Sequence, residues 1–237
     1  MKTSILLFFV LIQLQTVNAQ TWLDFGKPEI ILIGIDRSGS LKAPQKAAIL
    51  NLVESIITTK AEKDVQVFVI PIHANTGSAA YMAHRILNPK KGGRSGKIEL
   101  KRLQTELIES IQTGLETPLG NASQWTDIVG FWARVQEIQE QTNGNLKIYL
   151  ISDMIHETPL FTFETMSRWV ESGKTELISE KAGLKRLQAP VKVSILQPEG
   201  IMGSVTTAKR QEQKRVWTNW LNSIHVEIEH WDSVLYE

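Results

Sequence analysis

Glu29-Ile30-Ile31-Leu32-Ile33-Gly34-Ile35-Asp36 is a short apolar run that ends in a carboxylate, and Arg37-Ser38-Gly39-Ser40 follows it as a turn. Eight residues, mostly β-branched, bounded by Pro28 and Gly39 and without polar alternation, read as a strand covered on both faces. Downstream, Ala43 to Lys60 places Ala47, Leu50, Val53, Ile56 and Ile57 at helical spacing, with Pro44 suited to a first turn. The opening stretch is therefore a strand, a polar turn and a helix.

The same alternation continues along the chain. Val65 to Ile72 (VQVFVIPI) reads as a second buried strand and Tyr81 to Leu87 as a third, at an edge. Asn88 to Lys97, rich in Gly and Lys, reads as a loop, and Ile98 to Leu115 as a helix. Thr126 to Gln141 is an amphipathic helix ended by Asn143-Gly144, followed by a strand from Leu146 to Ser152 and then Asp153. Phe161 to Val170 and Glu176 to Leu187 read as helices, Val191 to Leu196 as a strand, Thr206 to Ile224 as a helix and His225 to Trp231 as a last strand. Trp132, Trp217 and Trp220 fall on inner helical faces. Alternating strands and helices predict an α/β fold, a doubly wound, Rossmann-like three-layer sandwich. Its central sheet is mostly parallel and covered on both faces, with one possible antiparallel edge strand. Ligands of such sheets bind outside the carboxyl ends of the strands, which is where Asp36 and Asp153 stand.

Composition narrows the function. The chain has 237 residues, 42% of them hydrophobic, a formal charge of +1 and no cysteine. A single domain with a full core fits this. The missing cysteines exclude disulfides, thiolate metal sites and a cysteine nucleophile. The charge balance gives no overall pull toward nucleic acid. Met1 to Ala19 reads as a signal peptide: Lys2, an apolar run from Ile5 to Ile12, and small residues at Val17-Asn18-Ala19. An uncleaved N-terminal anchor is the alternative. Residues 20–237 then form one secreted or periplasmic domain with no membrane span, expected to be a monomer.

Asp36, Ser38 and Ser40 alternate along the turn, so three oxygen-bearing side chains can aim at one point. Hydroxyl and carboxylate oxygens are hard ligands that suit Mg2+, Mn2+ or Ca2+. One carboxylate and two hydroxyls leave a position open, which a partner's carboxylate can fill.

This GIDRSGS stretch resembles the D-x-S-x-S signature of von Willebrand factor A-type domains, found in integrin inserted domains and many bacterial surface proteins. The resemblance runs from Pro28 to Trp231. In that family a metal-ion-dependent adhesion site adds a threonine from a later loop and an aspartate after the fourth strand; Thr126 and Asp153 stand at those stations. The resemblance implies that Ser38, Ser40 and Thr126 bind a divalent cation directly, most naturally Mg2+, while Asp36 and Asp153 act through water. A glutamate or aspartate of a protein partner would take the sixth position. It implies an exported adhesion or assembly domain rather than an enzyme. Gln124 and Trp125 stand where the family often has small glycines, and Met154 where it often has glycine, so Trp125 and Met154 are expected to crowd the upper face.

Other readings stay open beside this one. Ser38 and Ser40 can cap the following helix and Asp36 can bind amides, giving an interaction domain that works without metal. A metal-assisted hydrolase would use Asp36 or His156 as base. Arg37 breaks the aspartic-protease motif, and no Gly-x-Ser-x-Gly elbow occurs. Trp125, His73 and His156 are candidate partner contacts on the ligand face. Lys90, Lys91, Arg94, Lys97, Lys101 and Arg102 form a basic patch outside the metal turn. It reads as a solvated loop, lacks aromatics for base stacking, and is placed to serve a second interface. Asn121-Ala122-Ser123 fits a glycosylation acceptor if the source is eukaryotic.

Overall fold

The computed structural model describes residues 27–37, 39, 41–118, 124–142, 144–198 and 206–232. The leader, Ser38, Ser40 and the Asn121 acceptor lie outside the described residues. The elements run β1 (Glu29–Asp36), α1 (Ala43–Lys60), β2 (Val65–Ile72), a short 3-10 turn (Thr76–Ser78) and β3 (Ala83–Leu87). Then come α2 (Gly93–Glu116), α3 (Ile128–Thr142), β4 (Asn145–Ile151), α4 (Phe163–Glu171) and α5 (Glu176–Ala182). β5 (Val191–Leu196), α6 (Thr207–Ser223) and β6 (Val226–Asp232) complete the order.

The six strands form one sheet in the order β3-β2-β1-β4-β5-β6, all pairs parallel except β2 with β3. β1 sits centrally, and Ile30, Ile31, Leu32, Ile33 and Ile35 are fully buried. Each such side chain stabilises the fold by roughly 1.5–3 kcal/mol. Its alternate residues feed two cores. Ile31, Ile33 and Ile35 pack with Ile49, Val53 and Ile56 of α1 and Leu107, Ile111 and Leu115 of α2. Ile30 and Leu32 pack with Phe131 and Trp132 of α3 and with Met166, Trp217 and Trp220. The doubly wound α/β architecture, the antiparallel edge strand and the three core tryptophans are those expected from the sequence.

Three features differ. Residues 93–97, expected as loop, form the first turns of α2. Gly96 permits this: a Cβ there would lie 2.2 Å from the Lys91 carbonyl oxygen, so the preceding loop folds directly onto the helix. α5 ends at Ala182 rather than continuing to Leu187, because Gly183 takes a left-handed conformation (φ 66°) and caps it. Coverage of the sheet is also incomplete. On the side of α1 and α2, Lys192 of β5 and Glu227 and Glu229 of β6 are exposed. An open groove of about 740 Å3, lined by Tyr149, Lys192, Ser194 and Glu229 among others, crosses that face. There Lys192 pairs with Glu229 at 3.2 Å.

Candidate functional site at the carboxyl edge of the sheet

β1 and β4 are neighbours, so Asp36 and the residues after Ile151 emerge side by side at the carboxyl edge. Asp36 is 5% exposed, and its Oδ2 accepts a 2.8 Å hydrogen bond from Ser152 Oγ. Ser152 Oγ in turn accepts from the Met154 amide at 2.9 Å. Asp153 Oδ1 accepts from the Ile155 amide at 2.9 Å. The Asp153 carbonyl accepts from the side-chain amides of Gln197 (3.2 Å) and Gln213 (3.1 Å). The loop after β4 is thus fixed from both sides. Burial, and then the charge of Asp36, raise the pKa of Asp153 to about 7.

Thr126 reaches the same edge by a backbone clamp. It exchanges two 2.9 Å hydrogen bonds with Glu157, and Glu157 also bridges to Thr162. The amide of Asp127 donates to the His73 carbonyl (3.2 Å), tying this loop to the end of β2. Asp127 organises the entry to α3: its Oδ1 accepts from the Gly130 amide at 2.8 Å, and it also accepts from the amides of Thr76 and Gly77. Gly130 is required there, since a Cβ would fall 2.0 Å from Asp127 Oδ2. Arg37, just after β1, donates to the carbonyls of Leu115 (3.5 Å) and Thr117, latching the turn to the end of α2.

Asp36, Thr126 and Asp153 therefore stand on three loops that are tied to one another at one edge; Ser38 and Ser40 lie outside the described residues. Trp125 is half-buried at the rim. His73 is also partly exposed, with its pKa lowered by burial and then by Arg37. His156 is different. It is 1% exposed, its ring packs 4.7 Å from that of Phe161, and burial pushes its pKa down to about 3. This corrects its reading as a partner contact or a solvent-reachable base. Met154 does not crowd the upper face either: its side chain is fully buried in the core with Phe131 and Trp217. Its φ of 63° explains why glycine would be at ease there. The Ser152 bond to its amide and a 2.9 Å bond from Trp217 Nε1 to its carbonyl hold this conformation.

Sequence reasoning passed over Ser152, Asp127 and Leu160. Ser152 directly precedes Asp153, and Asp127 precedes Gly130 by three residues at a helix start, so both left a local signal. Leu160 is 74% exposed at the apex of a tight turn in which Thr158 bonds the Phe161 backbone. Its exposure depends on that turn and has no sequence signature.

The donor chemistry fits a hard divalent cation. Two carboxylates and a threonine sit at this edge, and the pKa of Asp153 is raised first by burial and then by the charge of Asp36, both of which a bound dication would offset. Among the described residues no group of three or more His, Cys, Asp or Glu could hold a metal ion.

No protein-family model and no curated protein matches the sequence. Among solved structures, the chain is similar to a manganese-loaded TRAP protein of Plasmodium vivax, at 10% identity over 86% of this chain and 69% of that one, with a TM-score of 0.43. It is also similar to the human COPII-coat protein Sec24c, at 12% identity over 86% of this chain and 30% of that one, TM-score 0.43. A third is an aerotolerance-related membrane protein of Bacteroides fragilis, at 12% identity over 88% and 92% of the two chains, TM-score 0.41. The fold itself is read from this chain: a six-stranded, mostly parallel sheet with one antiparallel edge strand and helices on both faces. The reading of the site rests on this chain's own residues.

Proposed function

We propose that the chain is an exported protein-interaction domain that binds its partner through a divalent cation held at the carboxyl edge. Residues 1–19 serve as the signal peptide and residues 20–237 as the domain. Ser38, Ser40 and Thr126 supply direct oxygen ligands, and Asp36 and Asp153 support them through water. The cation is Mg2+, with Mn2+ and Ca2+ as alternatives. It supplies an open coordination position for a partner's glutamate or aspartate.

The observation that carries this reading is the placement of Asp36 and Asp153 on adjacent loops, close enough for the charge of one to raise the pKa of the other. This chain's residues divide the remaining work. Ser152 orients Asp36. The bridge to Glu157 holds Thr126 in place. Trp125, half-buried, and Leu160, exposed, offer apolar contact. Of the two bases considered for a hydrolase, Asp36 and His156, His156 is sealed in the core.

The test compares proteins captured from an extract of the source organism's exported fraction in Mg2+ and in chelator. A specific partner captured by the parent in Mg2+, and lost both in chelator and with Asp36→Ala, supports the proposal. Capture unchanged by chelator would instead assign metal-independent binding.

A further inference from the structure

β3 runs antiparallel to β2, and Leu87 at its end pairs with Val65, the first residue of β2. The loop after β3 and the first turns of α2 therefore stand at the amino ends of the parallel strands, the pole opposite Asp36, Thr126 and Asp153. This pole is basic. Lys90 and Lys91 in the loop and Arg94, Lys97 and Lys101 on α2 are exposed. Positions 94, 97, 98 and 101 follow helical i, i+3, i+4, i+7 spacing and share one face. Ile98 stands among these cations, 65% exposed.

Local acids do not cancel the charge. Glu99 Oε2 accepts the Lys90 backbone amide at 3.1 Å, and Glu106 is held by Arg85 and Arg102. Among the described residues no ion pair engages the five cations named. Ile86, next to the end of β3 and paired with Gln66, is 53% exposed. Two of the three exposed large apolar side chains among the described residues thus lie at this pole. β1 also begins here, with the Pro28 carbonyl accepting from the Asn145 amide at 3.0 Å.

We propose that this pole docks on an anionic phospholipid bilayer, with the lysines and arginines on the headgroup phosphates and Ile98 and Ile86 at the interface. Clustered cations are drawn to anionic leaflets, and apolar side chains among cations suit the boundary between headgroups and acyl chains. Nucleic acid is disfavoured because no aromatic residue occurs from Asn88 to Gln112 to stack on bases. The docked orientation leaves the carboxylate edge facing away from the membrane, free to meet a partner. The inference does not depend on metal binding.

The test is co-sedimentation of the full chain with phosphatidylcholine vesicles, with and without phosphatidylserine, in chelator throughout. The readout is the excess binding to anionic over neutral vesicles. That excess should shrink in high salt and fall about a hundredfold in K91E/R94E/K97E. It should survive in R168E/R210E/K214E, which carries the same charge change on α4 and α6. Circular dichroism confirms that each variant is folded, and Ile98→Ser, which keeps the charge, should lower the excess a few-fold. No excess in the parent, or equal loss in both triple variants, would overturn the proposal. So would stoichiometric competition by inorganic phosphate, which would mark a discrete anion site. Capture of a DNA oligonucleotide or an acidic peptide without vesicle binding would reassign the patch and equally overturn it.

Discussion

Asp153 and His156 sit three residues apart on one loop, and burial pushes their titrations in opposite directions. Asp153 has a folded pKa of about 7, raised from its ordinary value, so its contribution to stability is fully present below about pH 4 and lost as the pH rises toward 7. His156 has a folded pKa of about 3, so the unfolded chain takes up its proton first and stability is lost as the pH falls below about 6.5. Between about pH 4 and 6.5 the two slopes oppose each other. Asp153→Asn is expected to raise the stability of the metal-free protein at pH 8 by about 2 kcal/mol, and to expose the rising slope of His156 at lower pH. Urea midpoints across the pH range check both; a variant less stable than the parent at pH 8 contradicts the first. Ser152→Ala removes the donor to Asp36 Oδ2 and the acceptor of the Met154 amide. It should cost about 1–2 kcal/mol of stability and weaken cation affinity about tenfold. Differential scanning calorimetry and a Mn2+ titration read the two effects separately.

Helix α3 shows how far an element could be read in advance. The spacing of Ile128, Val129, Trp132, Val135 and Ile138 predicts its inner face, and all five are buried. What the spacing could not show is the cluster at its entry, where Asp127 gathers the amides of Gly130, Thr76 and Gly77. Two of those three amides come from a turn some fifty residues earlier, so only the folded chain reveals the set. Gly130→Ala drives a Cβ into the Asp127 carboxylate and should cost about 2 kcal/mol or more. It should also weaken cation binding, because Thr126 precedes Asp127 directly. Equilibrium unfolding with and without Mg2+ tests this: an unchanged midpoint would mean that Asp127 does not organise the loop. Helix α2 carries the complementary lesson. Its glycines suggested a loop, but Gly96 is needed for close approach to the Lys91 carbonyl, not for chain reversal.

At the scale of the molecule, the sheet was legible because β1, β2, β4 and β5 are buried along most of their length and read as near-continuous apolar runs. β6 was harder to place in a covered sheet. It pairs with β5 through a register shift at Val193/Ser194 and leaves Glu227 and Glu229 in solvent. The site was legible only in its strand-end aspartates and in Thr126. Ser152 acquires its role from a contact across the fold, its bond to Asp36. The left-handed turn at Met154 turns an expected obstruction into a core residue.

The proposed divalent cation would bind between the loops after β1, before α3 and after β4. Isothermal titration calorimetry at pH 8, with Mg2+ and with Mn2+, tests it most directly on the parent, Asp36→Ala and Thr126→Ala. One saturable site is expected in the parent, lost in Asp36→Ala and weakened at least tenfold in Thr126→Ala. No heat of binding in a folded parent, or the same isotherm in all three proteins, would contradict it.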